Sequence, residues 1–288
     1  MNKNAFDELL RQNVIYTTGM DLFGYGIGNR NYPNYYCPSA FAIFVNQMMK
    51  DSFIHYEKYN AGKGSELKQY GDMPPKMASV ASSSRFCYLA LSKGTMALGG
   101  SGEVDFEHSC PIKKIKGGTP PQMDAYVRNE NIFIEVKCHE IFDSHKIILS
   151  DQYFDHLYGV GNDFGFENIP KGNAKTFEIP LSSFGANESS MLDIKQLICH
   201  LLGIKYHKEQ DEQATLVYLF FKPKTQSESQ RIEIEQLFND LTKEVEMVFN
   251  SKPIRNFAIN NNIELKAVAE YSEVMSPLTK ENMISLYT

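Results

Sequence analysis

Between Pro121 and Lys137 the chain reads Pro-Gln-Met-Asp-Ala-Tyr-Val-Arg-Asn-Glu-Asn-Ile-Phe-Ile-Glu-Val-Lys, two alternating runs divided at Asn129-Glu130. Alternation places every second side chain on one face of a strand, and a short polar break between two such runs reads as a hairpin turn. With Asn129 and Glu130 as the loop, or a four-residue loop centred there, Val127 pairs with Ile132, Ala125 with Ile134 and Asp124 with Glu135. One face then holds Met123, Ala125, Val127, Ile132, Ile134 and Val136 and has to be buried. The other holds Asp124, Tyr126, Phe133, Glu135 and Lys137.

Two carboxylates facing each other across a sheet repel, at a cost of up to about 1 kcal/mol. A divalent cation between them removes that cost, and hard oxygen ligands of this kind suit Mg²⁺ or Mn²⁺ better than zinc. The ammonium of Lys137 on the same face is placed to orient or deprotonate an attacking water, or to steady charge developing on phosphorus. Charged residues on a strand face are most often solvated surface. Against that reading stand Tyr126 and Phe133 on the same face, the Pro120-Pro121 turn ahead of the first strand, and the apolar run Thr215–Phe221, which fits a central strand.

The pattern around the hairpin supplies its setting. Phe41–Tyr59 has helical spacing, and Asn60–Pro75 reads as a linker without period. Ser82, Ser83 and Ser84 offer N-cap oxygens to a helix through Leu91, with Gly94 as its stop. Strands follow at Glu103–Ser109, Gln122–Arg128 and Ile132–His139, then a Gly-rich loop or inserted lobe over about Tyr158–Ser190. Ser190 and Asp193 form a capping-box-like start to a helix through Leu201 that Gly203 closes. Thr215–Phe221 is a strand, Glu228–Phe249 an amphipathic helix and Ile263–Val274 a final strand. The expected division is an N-terminal helical extension and linker, 1–75, followed by one domain, 76–288, of α/β class with a mixed central sheet flanked by helices.

Composition bounds the function. With 288 residues and 42% hydrophobic content the chain can bury a substantial core, and no apolar run is long enough to span a bilayer. Five cysteines without a Cys-x-x-Cys pair, and a start that lacks a basic-then-apolar leader, fit reduced thiols in the cytoplasm. A net charge of −6 counts mildly against a nucleic-acid partner, yet a local basic groove can coexist with an acidic metal site. Lys113, Lys114 and Lys116 are candidate phosphate contacts. The Tyr- and Asn-rich stretch Gly24–Tyr36 suits base stacking in principle and a structured turn better.

Asp124 followed by Glu135-Val136-Lys137 at the end of an apolar strand resembles the signature of the PD-(D/E)XK nuclease superfamily. The element order, helix, three strands, helix, strand, is similar to that superfamily's restriction-endonuclease-like αβββαβ core. Phe106-Glu107, Glu140 and Gln196-Leu-Ile-Cys-His200 resemble one restriction-endonuclease-like branch of it, over about Ser82 to Gly203. The resemblance implies Mg²⁺-dependent hydrolysis of DNA phosphodiester bonds, with Asp124 and Glu135 as metal ligands and Lys137 as the catalytic lysine. The helix Ser82–Leu91 offers no acid, so Glu107, or failing it Glu103, supplies the third acidic ligand, and Gln196 with His200 faces the metal water or a phosphate. DNA is the implied partner, a homodimer is compatible with it, and a non-catalytic DNA-binding or assembly module on the same fold is the alternative.

Other chemistries fit less well. Cys138-His139 and Cys199-His200, with Cys87 and Cys110, look like zinc ligand pairs, but neighbours on a strand point to opposite faces and neighbours on a helix diverge by about 100°. No Gly-x-Ser-x-Gly turn and no phosphate-binding Gly-rich Lys-Ser/Thr loop occurs in the chain.

Overall fold

A computed structural model describes residues 1–18, 21–61, 66–92, 103–113, 115, 120–186, 189–225 and 227–268. The chain opens with α1 (Lys3–Thr18), the hairpin β1 (Phe23–Ile27) and β2 (Arg30–Tyr36), and the helices α2 (Pro38–Asp51) and α3 (Phe53–Ala61). Then come α4 (Ser83–Leu91) and the antiparallel strands β3 (Val104–Ser109), β4 (Gln122–Val127) and β5 (Ile132–Lys137). Next are β6 (Ile147–Ser150), α5 (Phe154–Tyr158), β7 (Thr176–Ile179) and α6 (Ile194–His207). The last elements are β8 (Ala214–Phe220), α7 (Glu228–Asn250), α8 (Lys252–Asn260) and β9 (Ile263–Val268).

The centre is a mixed five-stranded sheet in the order β3-β4-β5-β8-β9, in which β8 runs parallel to both neighbours. The β4–β5 register is the expected one, with Ala125 opposite Ile134 and Val127 opposite Ile132. Arg128–Glu130 form a 3₁₀ turn closed by Asn131 in the left-handed region, a conformation that Asn tolerates better than most residues. On the apolar face Met123, Ala125, Val127, Ile134 and Val136 are fully buried and Ile132 is half-buried, with α4 packed over β4 and β5 and the Phe86 ring stacked on Phe221. The opposite face is covered too: α6 lies over Glu135 and Tyr218, and Phe249 of α7 meets Tyr218. The sheet is therefore sandwiched between helices.

Several elements depart from the sequence expectation. Phe41–Tyr59 is two helices, because Ser52 is extended (φ −159°, ψ 106°) and its hydroxyl accepts from His55 N–H, a local bond that competes with helix continuation. The Gly-rich stretch after Tyr158 contains β7, which pairs antiparallel with β6 in a separate two-stranded sheet. The helix before β8 starts at Asp193, whose carboxylate accepts from Gln196 N–H at 2.9 Å, while the Ser190 hydroxyl turns instead to Leu192 O and Glu244.

Gly203 does not stop that helix, which continues to His207. It lies against the residue that follows β3, where an added Cβ would stand 2.8 Å from Cys110 Cβ. The Gly94 stop, Lys114, Lys116 and the strand beyond Val268 fall outside the described residues. The core is continuous from Phe6 through Tyr36 and Phe44 to the sheet and Ile254, and among the described residues no helix is long and apolar enough to cross a membrane.

Candidate active site

The strand registers assemble the site. Between the pairs Phe106↔Ala125 and His108↔Met123, Glu107 stands across from Asp124, and one step past Ala125↔Ile134, Asp124 stands across from Glu135. On the far side Glu135 is paired with Tyr218 of β8. Three carboxylates thus occupy one row across β3, β4 and β5 at the point where β4 and β5 part. There the Asp124 side chain takes over from the backbone ladder, accepting from Val136 N–H at 2.7 Å.

Glu135 is only 4% exposed, and its Oε1 receives two bonds, from Lys137 Nζ at 2.7 Å and Gln196 Nε2 at 2.8 Å. Lys137 Nζ also donates to Gln196 Oε1 at 2.6 Å, so Gln196 uses both ends of its amide to lock the lysine against the carboxylate. His200, one helical turn further along α6 and 1% exposed, has Nε2 at 3.7 Å from Glu135 Oε2 and Nδ1 at 3.3 Å from the Tyr218 hydroxyl. A buried carboxylate is tolerated when its lone pairs are occupied in this way.

Electrostatics separate the acids from the lysine. Burial, then the charges of Glu135 and Glu107, hold Asp124 well above the ordinary carboxylate range, against the opposing pull of Lys137 and Val136 N–H. Burial with Glu66 and Glu135 pushes Glu107 up to about 7. Burial acts against the charge of Lys137, but Glu135, Glu140 and Asp124 outweigh it and raise the ammonium above an ordinary lysine. Lys137 is therefore held as the ammonium at neutral pH, its charge fixed beside Glu135. Burial, the leading effect, lowers His200 and keeps its imidazole neutral.

The structure brings Asp124, Glu135, Lys137, Glu107 and Gln196 together and places others elsewhere. Glu103 is exposed, and Asp105 is engaged by Lys58 and His108, both at 2.8 Å. Alternation along β3 does not survive, because Glu107 has φ 49°. Glu140 folds back so that Oε2 accepts from Cys138 N–H at 2.6 Å, closing the end of β5 and adding negative charge beside Lys137. Cys138 is buried, while His139 pairs with Asp7 at 2.7 Å.

The acid that the sequence did not suggest is Glu66, 7% exposed, bonded to Ser84 and Lys76 and close enough to raise Glu107. It lies in a stretch with no period, where an acid reads as surface. Lys113 is exposed. Gly24–Tyr36 is the β1–β2 hairpin, in which Tyr36 is buried and Phe23 stacks on it.

No family model, no curated protein and no solved structure matches the chain.

Proposed function

We propose that the chain is a metal-dependent nuclease of the PD-(D/E)XK type, with a restriction-endonuclease-like core, that hydrolyses DNA phosphodiester bonds. The observation that carries this reading is the row Glu107, Asp124 and Glu135 with the fixed cation Lys137 at its end. Asp124 and Glu107, raised by burial and by the carboxylates beside them, are relieved by a divalent cation, so the donor set fits Mg²⁺ or Mn²⁺ held by Asp124, Glu135 and Glu107. Such an ion supplies Lewis acidity and lowers the pKa of water.

The protein's own groups do the rest. Lys137 offers a permanent positive charge to a phosphoryl oxygen as negative charge builds there. Gln196 holds Lys137 and Glu135 in one orientation, so neither has to be ordered when substrate arrives. His200 and Tyr218 close the rear of Glu135 against water.

The test is cleavage of supercoiled, linear, branched and single-stranded DNA in Mg²⁺, Mn²⁺ and EDTA. Wild type cleaves only with metal, and Lys137→Ala cleaves at least about 10²–10³-fold more slowly. The mutant retains most of its DNA affinity in Ca²⁺, because affinity is spread over many phosphate contacts and falls with salt in both proteins. No cleavage of any of these DNAs by wild type, together with DNA binding that Lys137→Ala weakens, would instead indicate a binding module.

A further inference from the structure

Beyond the carboxylate row, the same sheet face carries a second cluster with softer ligand atoms. His108 and Cys110 project from the end of β3 and His207 from the last turn of α6, and one ligand atom of each lies within 4.8 Å of the other two. We propose that His108, Cys110 and His207 bind a zinc-class transition-metal ion, with Asp105 as the carboxylate behind His108.

Four observations converge. Phe106 packs against Tyr59 and Tyr88, whereas His108, two residues on, stacks on Tyr126 at 4.4 Å and meets His207 edge-on at 4.7 Å. Regular alternation would keep 106 and 108 on one face. The left-handed Glu107 between them turns His108 and Cys110 toward α6, a conformation that costs a non-glycine residue on the order of 1–3 kcal/mol and persists where surroundings demand it.

Second, His108 Nδ1 is bonded to Asp105 Oδ2 at 2.8 Å, the arrangement that fixes an imidazole's tautomer and leaves Nε2 as the ligating atom. Third, His108 Nε2 is buried and has no hydrogen-bond partner among the described residues, a cost that a metal bond removes. Fourth, Gly203 lets α6 approach so closely that an added Cβ would meet Cys110, and this approach brings His207 over the pair.

The chemistry selects the ion. Two imidazoles and a thiolate suit zinc and its neighbours, not Mg²⁺. Ligand atoms around a tetrahedral zinc are about 3.3–3.7 Å apart, so a closure of about 1 Å is needed, which the exposed His207 side chain supplies by rotation. Binding forms a sulfur–metal bond and breaks the Cys110 S–H bond, whose proton leaves to solvent. Three protein ligands would leave the fourth tetrahedral position to water. The ion ties the edge strand to the far end of the helix that carries Gln196 and His200. It stands independently of the nuclease reading.

The experiment is titration of the reduced, metal-stripped protein with Co²⁺ in excess Mg²⁺, which saturates carboxylate sites. Wild type gives a near-ultraviolet thiolate-to-cobalt band that stoichiometric Zn²⁺ abolishes. Cys110→Ser loses the band, exposed His207→Ala weakens binding at least about tenfold, and Asp105→Asn weakens it about 10–100-fold. Circular dichroism of each variant confirms that it is folded. No band in wild type, an unchanged band in Cys110→Ser, or unchanged affinity in folded His207→Ala overturns the proposal.

Discussion

Gln196 makes two hydrogen bonds and Lys137 makes two, and they share one of them. Truncating Gln196 leaves the charge of Lys137 intact and frees its direction, so Gln196→Ala lowers the cleavage rate about 10–100-fold with little change in DNA affinity, read from single-turnover kinetics beside binding titrations. The acids give a second prediction, in pH. Glu107 and Asp124 have folded pKa values above their unfolded ones, so the folded protein binds their protons more tightly. The stability they contribute is complete below about pH 4 and is lost as pH rises, through about 7 for Glu107 and above the ordinary carboxylate range for Asp124.

The melting temperature in EDTA therefore falls between about pH 5 and pH 8, Mg²⁺ restores it, and Glu107→Gln flattens the slope. Asp124→Asn, which keeps an oxygen for Val136 N–H, is as stable as wild type or more so in EDTA at about pH 8 and gains nothing from Mg²⁺. A melting temperature independent of pH and of Mg²⁺ would detach these carboxylates from metal binding. Much of this was legible, because Asp124, Glu135 and Lys137 lie on two adjacent strands whose register the sequence sets. Glu66 was not, since its partners Ser84 and Glu107 lie on other elements.

At the scale of elements, α6 decides how tightly the site is covered, and Gly203 decides how closely α6 sits. A methyl group there would stand 2.8 Å from Cys110 Cβ and 3.0 Å from Cys110 O. Gly203→Ala gains about 1 kcal/mol of helix propensity and incurs about 1–3 kcal/mol of overpacking against backbone that cannot yield. The expected result is a melting temperature lower by a few degrees and, on the proposed nuclease reading, slower DNA cleavage, as α6 is pushed off the sheet.

Composition and spacing read Gly203 as a stop because glycine commonly ends helices. Only the position of Cys110, just past a strand more than ninety residues earlier in the sequence, reveals the packing reason. The same limit explains β7: Thr176-Phe-Glu-Ile alternates over four residues only, and its partner β6 lies beyond a helix and a loop. The β4–β5 hairpin was readable because turn and alternation are contiguous. The Ser52 break was not, because one side-chain hydrogen bond sits inside an uninterrupted helical period.

At the scale of the molecule, Arg85 joins the parts. It is 1% exposed, donates to the carbonyls of Met77, Ser79 and Val80, and lies 4.6 Å over the Tyr36 ring. The N-terminal hairpin is thus bonded through one guanidinium to the helix that supports β4 and β5. Deleting residues 1–75 uncovers that charge and the apolar surfaces beneath Phe6, Tyr36 and Phe44, so a fragment starting at residue 76 is expected to aggregate, which size-exclusion chromatography reads directly.

The sheet order has a kinetic consequence as well. The inner strand β8 has only parallel partners, β5 and β9, and its pairing of Thr215 with Ile132 joins positions more than eighty residues apart. The hairpin β4–β5 can form in microseconds, whereas β8 must be found across a long span before the sheet closes. Until then Asp124 and Glu135 face each other without Gln196 to bridge them, and the half-made sheet exposes the apolar edge of β5. The rate-limiting barrier should therefore be chain search. Halving the 159–175 loop shortens that span by only about a tenth, so refolding in stopped-flow traces should quicken by about 1.2-fold, with unfolding almost unchanged.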